Sequence, residues 1–150
     1  MAVRVQHDDF DVSAETEKLI GGRTDIGAIV TFTGRVRGAD SERQIEALTL
    51  EHYPDMTEAE MARIEAEAHA RWPLQASLLI HRVGELHAGD NIVLVIAASA
   101  HRQAAFEAAA FLMDYLKTRA PFWKKETMPS GETKWVDARA EDDGAADRWR

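Results

Sequence analysis

The chain has 150 residues, 45% apolar and 29% charged, with a formal net charge of −8. That describes a globular chain long enough to bury a core, and the acidity argues against the extended basic face that nucleic-acid binding needs. No cysteine is present, which excludes disulfides, thiolate nucleophiles, persulfide carriers and iron–sulfur ligation by this chain.

Along the chain, Ser13 is placed to cap a short helix through Glu17 to Ile20, closed by Gly21-Gly22. Residues 28–33 are β-branched and aromatic and predict a buried strand. Gly34-Arg35-Val36-Arg37-Gly38 follows as a glycine-bounded loop, continuing as a polar stretch to Arg43. Residues 45–52 partly alternate and predict a half-exposed strand, and Pro54-Asp55 marks a turn. Thr57 and Glu60 match a capping box, and Met61, Ile64 and Ala68 then give an amphipathic helix to about Arg71, ended by Trp72-Pro73. Residues 76–83 predict a strand, 86–91 a turn and 92–97 a buried strand.

The apolar run at 92–98 is far too short to span a bilayer, and the N-terminus has no signal-peptide core, so the cytoplasm is the expected compartment. Ser99 can cap a helix over 100–118 with Ala105, Ala109, Leu112 and Leu116 as its core stripe, and Pro121 stops it at Ala120. Residues 133–137 predict a short strand, and the polar tail 138–150 a helical segment. Helix, two strands, helix, two strands, helix, strand indicates an α+β or mixed α/β domain over residues 1–150. No Gly-x-Gly-x-x-Gly, Gly-x-x-x-x-Gly-Lys or His-x-x-x-His is present, so a dinucleotide fold, a P-loop and a zinc site are unsupported.

The chemistry concentrates in residues 117–125, where four cations and two aromatics occupy nine positions without an acid. Like charges this close repel unless solvent or an anion offsets them, so a positive pocket on an acidic chain points to a small anionic ligand. Phe106, Ala110, Met113 and Lys117 share one helical face. Lys117 there either snorkels to water or sits in a partly dry pocket where its pKa falls and it can act as acid, base or nucleophile. His101-Arg102 opens the same helix, where the backbone N–H groups already favour an anion; the alternative is a solvated first turn. About 17 residues separate the helix ends by roughly 25 Å, so one ligand reaching both His101 and Lys117 requires two copies of the chain. Arg35 and Arg37 either approach that ligand between two glycines or are solvated hairpin arginines. Phe122 and Trp123 either stack on a planar heterocycle or plug the core.

Five segments then stand together: Thr31-Phe-Thr-Gly-Arg-Val-Arg37, Leu48-Thr-Leu-Glu-His-Tyr-Pro54, Ile80-His-Arg-Val-Gly-Glu-Leu86, Ser99-Ala-His-Arg102 and Phe111-Leu-Met-Asp-Tyr-Leu-Lys-Thr-Arg-Ala-Pro-Phe-Trp-Lys124. Over residues 27–139 the chain resembles the large, catalytic subunits of molybdopterin synthases. The resemblance implies an α/β hammerhead with an additional small antiparallel sheet, and a homodimer at the centre of a heterotetramer. It implies a partner, a small ubiquitin-like sulfur carrier ending in a Gly-Gly thiocarboxylate, and a substrate, cyclic pyranopterin monophosphate, which receives two sulfurs to become the dithiolene molybdopterin. It makes Lys117 catalytic with Lys124 beside it at the donor tail, and assigns Arg35, Val36, Arg37, His101, Arg102, Lys124, Lys125 and Glu126 to pterin contact. It implies no cofactor and no metal ligand. A chain without cysteine must receive its sulfur from such a partner. Two other classes compete: a non-catalytic module binding a phosphorylated metabolite, and a docking subunit for a ubiquitin-like protein.

Overall fold

The computed structural model describes residues 1–40, 43–136 and 140–150. Four strands form the first sheet: β1 (Ala2–Gln6), β2 (Ala28–Arg35), β6 (Leu74–Arg82) and β8 (Asn91–Ser99), in the order β1-β6-β8-β2. β1 runs parallel to β6; the other pairs are antiparallel. Helices α2 (Met56–Arg71) and α3 (Arg102–Thr118) cover one face, burying Met61, Ile64, Phe111, Leu112 and Tyr115 against Leu79 and Val95. On the other face Val12 and Leu19 of α1 (Val12–Ile20) pack against Phe10, Leu78, Ile80, Leu94 and Ile96. Both faces of β6 and β8 are therefore buried, which is why their sequences read as continuous apolar runs.

The second sheet is antiparallel, with β7 (Gly84–His87), β5 (Ala47–His52), β9 (Phe122–Thr127) and β10 (Thr133–Val136) side by side. Its core is Val36, Leu50, Val83 and Leu86. A hairpin of β3 (Ala39–Asp40) and β4 (Arg43–Gln44) and a helix α4 (Ala140–Asp147) complete the elements. The α+β class and the additional antiparallel sheet are both present. Among the described residues, no helix is long and apolar enough to cross a membrane.

Several local expectations are corrected. The buried strand at 28–33 is β2, an edge strand that leaves Ile29 and Phe32 more than 40% exposed, at 43% and 42%. β1 and β7 were not foreseen; the latter takes the first two residues of the expected turn at 86–91. The cap of α1 is Asp11, whose Oδ1 accepts from the Ala14 N–H at 3.0 Å, rather than Ser13. At α2 the acid reaching back is Glu58, 3.4 Å from the Asp55 N–H, two residues before the expected Thr57–Glu60 pair. Thr57 instead accepts from the Tyr53 N–H at 3.1 Å and donates to the Pro121 carbonyl at 2.9 Å. Ser99 ends β8 and donates to the Pro73 carbonyl at 2.9 Å, so α3 opens at Arg102 with His101 as its N-cap residue. The helix stops at Thr118, as its expected span has it, short of the limit set by Pro121. Asp137, residues 138–139 and positions 41–42 of the polar stretch lie outside the described residues.

Candidate active site

The second half of the basic segment, from Phe122, is a strand. Pairing of β9 with β5 sets Lys124 opposite Leu50, Lys125 opposite Thr49 and Glu126 opposite Leu48. Alternation then sends neighbouring side chains to opposite faces. Phe122 and Lys124 line a cavity of about 470 Å³. Lys125 points the other way, its Nζ 5.8 Å from the Trp135 ring centroid, and Trp123 packs edge-on against Tyr53 at 4.1 Å. Glu126 is buried, at 4% exposure, and is not part of the cavity wall.

Four other elements close the cavity. The C-terminal half of α3 supplies Met113 and Lys117, the end of β2 with the following loop supplies Arg35 and Arg37, and β8 supplies Ile92 and Val93. The β2–β8 register slips between Gly34 and Arg35, and a Cβ on Gly34 would sit 2.7 Å from Val93 Cγ1. Glycine there lets the strands pass closely while the slip turns Arg35 to its site. Arg35 is held by two bonds to the Gly89 carbonyl, from Nε at 3.1 Å and Nη2 at 2.7 Å. Val36 buries its side chain with Leu50 and Leu86, outside the cavity wall. Strand β6 supplies His81.

Four of the expected residues thus meet: Arg35, Arg37, Lys117 and Lys124. No carboxylate is among the residues lining the cavity. Phe106, expected on the face of Lys117, lies three turns away and is 62% exposed. His101 and Arg102 line a separate cavity of about 420 Å³ with Gly27 and Gln103. The 17 residues of α3 put roughly 24 Å between the two ends, so these residues do not reach Lys117 within one chain. No group of three or more His, Asp or Glu that could hold a metal occurs among the described residues.

His81 was not foreseen as a site residue. The signal was present: a polar ring interrupts the apolar run of β6, two positions after buried Leu79. Its ring stacks on Phe122, with centroids 3.8 Å apart and planes at 19°. Nδ1 lies 2.9 Å from the Arg82 carbonyl, a geometry in which Nδ1–H donates. Burial pushes its pKa down to about 4. The charges of Lys124 and Lys117 and the neighbouring His52 act in the same direction, and the bond to the Arg82 carbonyl opposes them. The cavity is therefore cationic but contains a neutral imidazole.

The sequence model of the MoaE protein family matches residues 5–119. The chain belongs to the MoaE family. It is 60% identical over 149 residues to the molybdopterin synthase catalytic subunit of Mesorhizobium japonicum, covering 99% of this chain and 92% of that one. Among solved structures it resembles molybdopterin cofactor biosynthesis protein E from Burkholderia multivorans with a TM-score of 0.83, at 51% identity and over 99% and 95% of the two chains. Its TM-score to molybdopterin synthase from Staphylococcus aureus is 0.82, at 31% identity over 89% and 95%. The MoaE match includes Arg35, Arg37, His81 and Lys117 and ends before Lys124. Chemically, the MoaE cavity offers two guanidiniums for a phosphate, two ammonium groups for a second anion, and the Phe122–His81 stack as a flat wall.

Proposed function

We propose that this chain is the catalytic subunit of a molybdopterin synthase, converting cyclic pyranopterin monophosphate to the dithiolene with sulfur from a thiocarboxylated, ubiquitin-like small subunit. The observation that carries this reading is the convergence of Arg35, Arg37, Lys117 and Lys124 on one acid-free cavity in a MoaE-family chain without cysteine. The carrier's extended Gly-Gly tail reaches that cavity, and its terminal anion pairs with Lys124 and Lys117. Lys117 acts on the reacting groups as acid or base; the guanidiniums of Arg35 and Arg37 hold the phosphate. Lys125, Glu126 and the Val36 backbone support the wall. Since α3 separates His101 and Arg102 from Lys117, their role at the pterin comes through a second copy of the chain, in a homodimer flanked by two carriers. The single domain works in the cytoplasm.

The test is reconstitution of the purified chain with thiocarboxylated carrier and cyclic pyranopterin monophosphate, scoring dithiolene. Turnover that requires the thiocarboxylate supports the reading. Ligand binding without product would identify a binding module, and carrier binding without pterin binding a docking subunit; either would overturn it.

A further inference from the structure

Sulfur delivery by a thiocarboxylate leaves a chemical step that neither lysine explains. When the terminal sulfur attacks a carbon of the pterin side chain, a carbon–oxygen bond at that carbon breaks and its electron pair leaves on the oxygen; the sulfur is still bonded to the acyl carbon of the carrier, so the immediate product is a thioester joining carrier and substrate. Releasing the carrier requires water. The water oxygen bonds to the acyl carbon, the acyl carbon–sulfur bond breaks, sulfur stays on the pterin as a thiol, and the carrier leaves as a carboxylic acid. No electrons are gained or lost. A base must take a proton from the attacking water, and the departing sulfur must receive one.

The cations of the cavity are poor bases while charged. His81 differs from them in three ways. It lies in the cavity wall yet is only 8% exposed. Its ring is fixed from two sides, by the stack on Phe122 and by the Nδ1 contact with the Arg82 carbonyl at 2.9 Å. That contact consumes the Nδ1 proton and leaves Nε2 as the lone-pair nitrogen. Nε2 has no hydrogen-bond partner among the described residues and is not one of the sealed, unsatisfied polar atoms, so it opens on the cavity.

The geometry points to His81 as the general base of carrier release, with Nε2 taking a proton from the water that attacks the thioester and returning it to the departing sulfur. This rests on the reading of the chain as a thiocarboxylate-dependent synthase. The charged and titratable groups around the ring explain its timing. Lys124 from β9, Lys117 from α3 and His52 from β5 all disfavour the imidazolium, and Arg35 and Arg37 from the β2 side add positive charge to the same cavity. In the empty site the ring is neutral, so its lone pair is available. The substrate's phosphate, still bound at that stage, offsets those cations and makes the imidazole more basic when a base is needed.

The experiment is single turnover with the full chain, thiocarboxylated carrier and cyclic pyranopterin monophosphate, quenched in time and read by mass for the carrier–pterin adduct. For His81→Asn, attack should stay within about threefold of wild type while carrier release slows by about 10²–10⁴-fold, so the adduct accumulates. Hydroxylamine, a nucleophile that needs no base, should then cleave the adduct and free the carrier. Turnover within about threefold of wild type, or slow turnover without adduct, overturns the assignment. If His81→Asn does not fold, the wild type decides. Release that falls with pH along one ionisation between 4 and 7, while attack does not, supports the role; release with no ionisation in that range overturns it. A wild-type chain that forms neither adduct nor dithiolene removes the underlying reading as well, which separates that failure from this one.

Discussion

The ring of Phe122 lies flat on that of His81, 3.8 Å between centroids, and joins the second sheet to the first at the cavity. Phe122 is the first residue of β9 and His81 the penultimate residue of β6. The stack therefore fixes where the basic strand sits relative to the central sheet, and it buries a titratable ring.

That burial predicts an acid-sensitive fold. The folded pKa of His81 is about 4 against 6.5 for the free side chain, so the unfolded chain binds more protons between these values. Stability from this group is complete above about pH 6.5 and is lost as pH falls towards 4, by up to about 3 kcal/mol. Urea unfolding at pH 7, 5.5 and 4.5 should show that loss in the wild type and a shallower one in His81→Gln. Equal slopes would mean the ring is solvated.

Lys117→Ala should lower dithiolene formation by about 10²–10⁴-fold while the chain stays folded, because Lys117 is exposed on the last turn of α3 and supports no core contact. Steady-state rates alongside a thermal melt check this. Activity within about threefold of wild type would remove Lys117 from the chemistry.

Sharing of the site between two copies predicts complementation. A dimer of one His101→Ala chain and one Lys117→Ala chain has one site with both lesions and one intact, and should recover about half the wild-type activity if sites are independent. Mixed dimers no better than either parent would place each site within a single chain.

Thr57 predicts a coupling of stability to the site. Its hydroxyl is fully buried and bonds both the Tyr53 N–H and the Pro121 carbonyl, and Pro121 lies between Lys117 and Lys124. Thr57→Val keeps the shape and orphans both backbone groups, so it should cost about 1–3 kcal/mol and weaken carrier-dependent turnover. A variant as stable and active as wild type would show that water replaces the hydroxyl.

Much of the fold is legible from periodicity. Met61, Ile64 and Ala68 on α2, and Ala105, Ala109, Leu112 and Leu116 on α3, are all buried as their spacing predicts. The misses have local physical causes. Asp11 and Asp55 compete with Ser13 and Thr57 for the same caps, and both hydroxyl and carboxylate satisfy the spacing rule. β9 has no strand signal of its own, because its strand character comes from pairing with β5 and β10 rather than from its charged residues. β2 reads as buried because β-branched and aromatic residues do not reveal which strand is an edge. At the site, Lys117 and Lys124 were recognisable from an acid-free basic run, and Arg35 and Arg37 from their place between two glycines. His81 is marked in the sequence as a polar ring in an apolar strand, but that pattern does not say which cavity its face borders.

The most direct measurement follows the sulfur. Carrier labelled with heavy sulfur only at its terminal thiocarboxylate is mixed with the cysteine-free chain and cyclic pyranopterin monophosphate, and the product is weighed. The account predicts two heavy sulfurs in every dithiolene and one carboxylate-terminated carrier for each sulfur delivered. Unlabelled dithiolene, or full turnover with a carrier lacking its last two glycines, would contradict it.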